Sequence, residues 1–484
     1  MRRASEILKS IILVILAVSM LVLWTGYIYL QFDTTNESKA TLQRSFWAFT
    51  DSTKAPLEIT PDSSFLSPRS VSIMLSGKGY SSSYNSELTK TLYDSVAPVI
   101  LEIFSSSYKC MQVEASEWNK ALKEDNSILV EYSSQLPYTT IAQFLQKDEN
   151  YCEGELCYVE KILLFSKESN TPVAVAVNQK GEVFSFTKIS DDTSFVYDFN
   201  SNNLAAYTVN KGFIPFEFNQ KTNTERHFPH LPPEYKLLEG APNLSSVTVS
   251  NYLSDVLKKI FEEKNSTYLE LVDDSALANV LDCFEINPHI AGFYSDTGTG
   301  LMFVGDNTRL TISPDGVINY SLIDGETTSI KTSAILRTAR TSFASDELLA
   351  AATAFISDFS PSLIGGDASI VLKGIQYNSL SAEFTFLFGY QFNSLDIVHS
   401  DGSISISLVF NSEGITEAHI IPMNVNKTES DKNTSGEYLS ADIVPSVIAP
   451  ISDTSSNLEP IYIFEEYDET ITPYWASEGI NELK

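Results

Sequence analysis

Three short stretches carry residue types that could do chemistry. "FYSDTGTG" places Asp296-Thr297-Gly298 after an apolar run. Asp-Thr-Gly is the triplet that supplies a carboxylate in aspartic-type proteolysis, which needs two carboxyl groups sharing one proton. No second Asp-Thr-Gly occurs, and Asp315-Gly316 and Asp401-Gly402 have the composition of turns. Asp296 is thus a catalytic candidate only if a second copy of the chain supplies the partner carboxylate. Otherwise it is a turn residue. "SSYK" sets Ser106 and Lys109 at Ser-x-x-Lys spacing, but the supporting Ser-Asp-Asn and Lys-Thr-Gly elements are missing, and Lys331-Thr332-Ser333 does not replace them. "RHFPHLPP" brings His227 and His230 together without a third ligand, and its prolines favour an extended loop. His289, His399 and His419 are scattered. Walker-type, dinucleotide-binding, HExxH and GxSxG patterns are absent. No catalytic centre, cofactor or metal site is expected.

Four cysteines complete the reactive set: Cys110, Cys152, Cys157 and Cys283. Four allow three full disulfide connectivities. "YCEGELCY" puts Cys152 and Cys157 across a short loop containing Gly154, so a local bridge is possible there. Reduced, buried thiols are the equal alternative.

The elements that would position these residues follow from periodicity. A strand-like run, a small polar residue, two turn residues, a glycine and a second strand-like run recur three times. The copies are "AVAVNQKGEVFSF", "RLTISPDGVINYS" and "SLVFNSEGITEAH", turning at Gly181, Gly316 and Gly414. A type I turn closed by a left-handed glycine explains the spacing, because glycine takes positive φ without steric penalty. Alternation such as Val173, Val175, Val177 or Ile404, Ile406, Leu408 predicts half-buried strands. Helices are predicted in "SELTKTLYDSVAPVILEIF", with Pro98 as a kink or break, in "NYLSDVLKKIFEEK", and in "SDELLAAATAFISDF" with Ser345 as N-cap. Helix followed by antiparallel strands thus occurs three times. The expectation is an α+β chain with ectodomains over 33–189, 190–328 and 329–484, since about 450 residues exceed one core. Residues 30–65, rich in Ser and Thr, are expected to form a stalk.

Residues 10–32 carry no charge. At about 1.5 Å per residue this run crosses a hydrocarbon core of about 30 Å. It ends in bulky Trp24, Tyr27 and Tyr29 rather than a small-x-small cleavage site, which favours a retained anchor over a cleaved signal. Arg2, Arg3 and Lys9 precede it, while Asp33 and Glu37 follow. The positive-inside rule predicts a cytoplasmic tail over 1–9, a transmembrane helix over 10–32 and an extracytoplasmic remainder. Ser19, Leu23 and Gly26 fall on one face and form a candidate contact strip, since helices in lipid associate through small residues. A net charge of −30, from 62 acidic and 32 basic residues, argues against nucleic acid as a partner.

Taken in order, the anchor and several stretches resemble the YycH family of regulatory proteins. The stretches are "ILVEYSSQLPYTTIAQFL" (128–145), "DCFEINPHIAGFYSDTGTGLMFVGDNTRLTISPDGVINYSL" (282–322), "EFTFLFGYQFNSLDIVHSDGSISISLVFNSEGITEAHII" (383–421) and "LEPIYIFEEYDETITPYWAS" (458–477). The strong acidity, the four cysteines and many loops depart from that pattern. The resemblance implies a non-catalytic accessory regulator of a YycG/WalK-type sensor histidine kinase, the system controlling cell-wall metabolism in low-GC Gram-positive bacteria. It implies contact with the kinase and a YycI-like sister protein at the membrane, largely through transmembrane helices. It makes Asp296-Thr297-Gly298 a turn in a β-meander. The alternative is a membrane-anchored wall enzyme or aspartic-type protease using Asp296.

Overall fold

The computed structural model describes residues 61–75, 78–82, 86–124, 126–145, 151–154, 157–167, 171–189, 214–215, 246–262, 275–287, 291–296, 300–305, 307–323, 330–338, 343–359, 363–428, 458–464, 470–471 and 473–477. The helix expected over 10–32, with Ser19, Leu23 and Gly26, lies outside these residues, as do His227, His230 and His289. Among the described residues no helix is long and apolar enough to cross a membrane.

The first part of the chain forms β1 (Pro68–Leu75), β2 (Lys78–Ser81), α1 (Ser86–Ile103), β3 (Tyr108–Val113), α2 (Ala115–Ala121), β4 (Asn126–Pro137), α3 (Tyr138–Phe144), β5 (Glu153–Gly154), β6 (Tyr158–Lys167), β7 (Thr171–Val177), β8 (Val183–Lys188) and β9 (Ile214–Pro215). They build one nine-stranded sheet in the order β5-β3-β8-β7-β6-β4-β1-β2-β9. Leu88, Leu92, Val96, Ile100 and Ile103 recur at helical spacing and are buried, fixing the face of α1 that covers the sheet. Helix α1 runs through Pro98 without ending. Pro98 lies on the exposed side of the helix, away from its buried stripe. The opposite sheet face carries a smaller cluster in which Val173 and Val175 pack with Leu163, Phe165 and Trp118 of α2. Ala174 and Ala176 belong to the main core instead. Strand β7 is therefore buried on both faces, not half-buried as its alternation predicts, because α2 covers the side expected to meet water.

The rest forms β10 (Val247–Ser250), α4 (Tyr252–Glu262), α5 (Ser275–Cys283), β11 (Gly292–Asp296), β12 (Gly300–Val304), β13 (Thr308–Ile312), β14 (Ile318–Leu322), β15 (Ile330–Lys331), α6 (Thr332–Ile335), α7 (Ser345–Ser357), β16 (Gly365–Gly366), β17 (Ser369–Asn378), β18 (Glu383–Phe392), β19 (Leu395–His399), β20 (Ile406–Phe410), β21 (Gly414–Ile420), β22 (Asn424–Lys427), β23 (Leu458–Phe464), β24 (Thr470–Ile471) and β25 (Pro473–Ser477). Twelve of these strands make one sheet whose main path is β11-β12-β13-β14-β21-β20-β18-β19-β23-β25. Strands β16, β22, β10 and β24 make a four-stranded sheet. The fold is α+β with mainly antiparallel sheets. The large sheet is continuous across the boundary expected at 328/329: β14 pairs with β21, from Ile318↔Ile420 to Ser321↔Glu417. Pairing there satisfies backbone groups that a separate domain edge would leave open. Under this sheet Phe284, fully buried, stacks on Tyr320 at 5.1 Å and meets Phe355 of α7 edge-on at 5.3 Å.

Local signals set the helix starts. Pro137 stands at the N-cap of α3, where its missing N–H is no loss. The N-cap of α7 is Ala344, so Ser345 is the first helical residue rather than the cap. An alanine side chain cannot accept a hydrogen bond. The Glu347 carboxylate does the work instead, accepting from the Ala344 N–H at 3.1 Å. Glu347→Ala is expected to destabilise by about 0.5–1 kcal/mol, read as a small drop in the urea midpoint of the purified chain. An unchanged midpoint would show this contact to be inert.

Candidate functional site

The three hairpins predicted from glycine spacing all form: β7 with β8, β13 with β14, and β20 with β21. Gly181 and Gly316 have φ of +76° and +82°, as the turn geometry requires. Gly414 does not adopt positive φ. It is needed for close approach, since a Cβ there would lie 2.0 Å from the Ile330 carbonyl oxygen of β15. Asp296 ends β11 opposite Gly300 of β12, so its backbone lies in a β-hairpin whose connection, 297–299, is outside the described residues. Asp315-Gly316 and Asp401-Gly402 both sit in turns, closed by Gly316 N–H to Ser313 carbonyl and Gly402 N–H to His399 carbonyl. Lys109 is in β3, paired with Thr187 of β8. His399 is buried, with Nε2 3.2 Å from the Ser405 hydroxyl, and burial holds it below the usual imidazole range. His419 shares a 2.7 Å contact with Asn319. These singled-out residues are thus dispersed, and no three metal-ligating side chains among the described residues are grouped to hold an ion. A bridge between Cys152 and Cys157, one of two readings of the sequence, is not formed: all four cysteines carry thiols.

What the fold does bring together is a charged joint between the two large sheets. Two register shifts build it. Strand β4 leaves β6 between Glu131 and Leu136, and β17 has an irregularity between Leu372 and Gly374. Such bulges bend a strand and re-aim side chains. The first releases Ser133 and Ser134 from the ladder to β6, and the Ser134 hydroxyl donates to the Leu372 carbonyl at 3.4 Å. The second singles out Lys373, whose ammonium donates to the Asp396 carboxylate of β19. Gln391 of β18 spans the gap, its amide N–H groups reaching Asp396 at 2.7 Å and the Ser133 hydroxyl. Beside them the Ser70 hydroxyl donates to Glu131 at 2.6 Å, and Lys161 pairs with Glu131 at 3.3 Å.

Electrostatics tie the two halves together. Burial alone would raise the Asp396 carboxyl. The Lys373 ammonium, the Arg69 guanidinium and the Gln391 amide outweigh burial and hold it below the usual carboxylate range. Glu131 behaves alike: burial opposes the charge, but Lys161, Ser70 and Arg69 lower it overall. Arg69, at the start of β1, therefore acts on carboxylates of both sheets. The Gln391 carbonyl oxygen is buried without a hydrogen bond, which leaves the joint one acceptor short of full satisfaction. With two ion pairs, this arrangement can register two sheets against each other and respond to charge.

Both carboxyls lie below their unfolded values, so the stability they contribute is present above pH about 4 and is lost as the pH falls through the folded values. The urea midpoint is expected to hold between pH 7 and 5 and to drop below pH about 4. A midpoint that rises on acidification would contradict this assignment. Periodicity missed the joint, although Glu131 in "ILVEY", Gln391 in "FGYQF" and Asp396 in "SLDIV" each interrupt an apolar run.

No family model matches the sequence, and no curated protein matches it. The structure is similar to the crystal structure of YycH from Bacillus subtilis, with a TM-score of 0.45 and 12% sequence identity, over 89% of this chain and 97% of that one. The neighbour bears the name of the family that the sequence resembles.

Proposed function

We propose that the chain is a non-catalytic, membrane-anchored regulator of a YycG/WalK-type sensor histidine kinase in cell-wall homeostasis. Its N-terminus lies in the cytosol and the bulk of the chain outside the cell membrane. One observation carries the proposal. The uncharged run over 10–32, behind Arg2, Arg3 and Lys9, is followed in order by the stretches that resemble the YycH family. The resemblance also implies a YycI-like protein as second partner. The anchor helix makes the kinase contact through Ser19, Leu23 and Gly26, because close packing of small residues drives association in lipid.

The charged joint supports a route for the signal. The chain reaches the first sheet at β1, and Arg69 and Ser70 are its second and third residues. Phe65, just before β1, is buried edge-on against Phe388 of β18 at 5.7 Å. The end of the expected stalk is thus packed on the second large sheet. Force or binding at the ectodomain acts on the residues that lead back to the anchor. A coupling of about 1–3 kcal/mol suffices to shift a kinase between two states.

The test is a membrane pull-down of the tagged full-length chain beside a version lacking 1–32 and exported by a foreign cleavable signal. A sensor kinase recovered with the anchored form alone supports the reading and places the contact in the helix. A kinase recovered with neither form removes it. Gly26→Leu is expected to lower co-purification several-fold if the strip is the contact, and undiminished recovery would remove the strip.

A further inference from the structure

Strand β3 and the short β5 are parallel, with Cys110 in register with Gly154. Cys152 lies two residues before Gly154, and residues two apart in an extended segment share a face. Cys152 sits just ahead of β5, next to the strand that carries Cys110. The segment is held there by its backbone: the Cys152 N–H donates to the Phe104 carbonyl at 2.9 Å, and Tyr151 bridges Ser105. The Tyr138 hydroxyl donates to the Cys152 carbonyl at 3.2 Å. Within this frame the Cys110 and Cys152 thiols lie against each other. Both are buried, Cys110 fully and Cys152 to 6% exposure. Cys157 is also buried, and its carbonyl accepts from the Tyr138 N–H. The cysteines form no three-ligand metal group.

We infer that Cys110 and Cys152, 42 positions apart, are the pair that forms a disulfide when the chain folds in the presence of a thiol–disulfide oxidant. The step is an exchange. The Cys152 thiolate attacks one sulfur of the donor disulfide and releases the other as a thiolate. The Cys110 thiolate then displaces the donor from the mixed disulfide. Two thiols lose two electrons and two protons, and the donor disulfide is reduced to two thiols. The neighbouring Cys110 thiol and burial together push the Cys152 thiol up, so exchange proceeds before the pocket closes, and the finished bridge is sealed from reductant. The bridge would close α2, β4 and α3 into one loop and clamp the β5 edge of the first sheet.

The pairing is tested on the full chain, refolded in detergent with oxidised and reduced glutathione, alkylated, and mapped by mass spectrometry without reduction. The expected product is a linked peptide containing Cys110 and Cys152, with Cys157 and Cys283 alkylated. Reduction should lower the thermal midpoint by roughly 5–10 °C, as expected for loss of a loop-closing bridge. A Cys152–Cys157 peptide, or four alkylated thiols, overturns the inference. Cys157→Ala should keep the linked product and Cys110→Ala should abolish it, and the wild-type map decides if either variant fails to fold. The same map on chain alkylated directly in cells addresses the exported location separately. Reduced thiols there, beside a bridge in the refolded chain, would count against export and not against the pairing.

Discussion

Replacing Lys373 by methionine is expected to destabilise the chain by about 3–5 kcal/mol, the loss typical of removing one partner from a buried ion pair. Its ammonium is the main charge that favours ionised Asp396, and the two side chains are only 21% and 11% exposed. Methionine keeps the stem volume and removes the charge. Asp396 is then held by Gln391 and the Arg69 field against burial that disfavours its charge. The same change flattens the acid limb of the stability profile, because less of the carboxylate's charge is stabilised by folding. Pairing Lys373→Met with Asp396→Leu should recover most of the loss, since a buried pair replaced by apolar groups is often neutral. Urea denaturation of the purified single and double variants reads both effects. A loss below about 1 kcal/mol in the single variant would show the pair to be solvated like a surface contact, and the joint would lose its role in registering the sheets.

The second large effect separates two uses of glycine. Gly414→Ala is expected to destabilise by about 3 kcal/mol or more, in the range reserved for steric conflict in a core. The new Cβ would lie 2.0 Å from the Ile330 carbonyl oxygen and 2.9 Å from its carbon. Both are backbone atoms, so no rotamer change relieves the clash. Strands β15 and β21, paired through Lys331↔Gly414 and Ile330↔Ile415, must move apart. Gly181→Ala is the control. Nothing lies within 4 Å of its added Cβ, and its strain is the positive φ alone. That costs about 1–2 kcal/mol, partly offset by the lower entropy of the unfolded chain. Thermal or urea midpoints of the two variants should therefore differ clearly, and equal losses would refute the close-approach argument.

These two glycines occupy equivalent places in the sequence pattern, which shows where local reading stops. A period of two beside N-Q-K-G, S-P-D-G or N-S-E-G is a local signal, and each copy folds as a hairpin. The packing of β15 on Gly414 joins segments about 80 residues apart, and nothing near "NSEG" encodes it. The N-cap of α7 shows the same limit at short range. Serine is a good cap by type, but the helix starts one residue earlier because Glu347 can reach the Ala344 N–H.

The sequence by itself determined the local elements. The i, i+3, i+4 stripe of α1, the three hairpins and the acidic character of the chain follow from residue type and spacing. The expected anchor, too, rests on length and flanking charge alone. Tertiary structure alone decided the partners. It merged β14 with β21 into one sheet, buried both faces of β7 beneath α1 and α2, set Cys110 beside Cys152, and drew Arg69, Glu131, Gln391 and Asp396 into one joint. The physical reason is sequence separation. Propensity and periodicity act within a turn or a hairpin, whereas burial of a charge depends on which distant strand supplies its counter-ion. Asp396 reads as an exposed polar residue until β17 brings Lys373 against it.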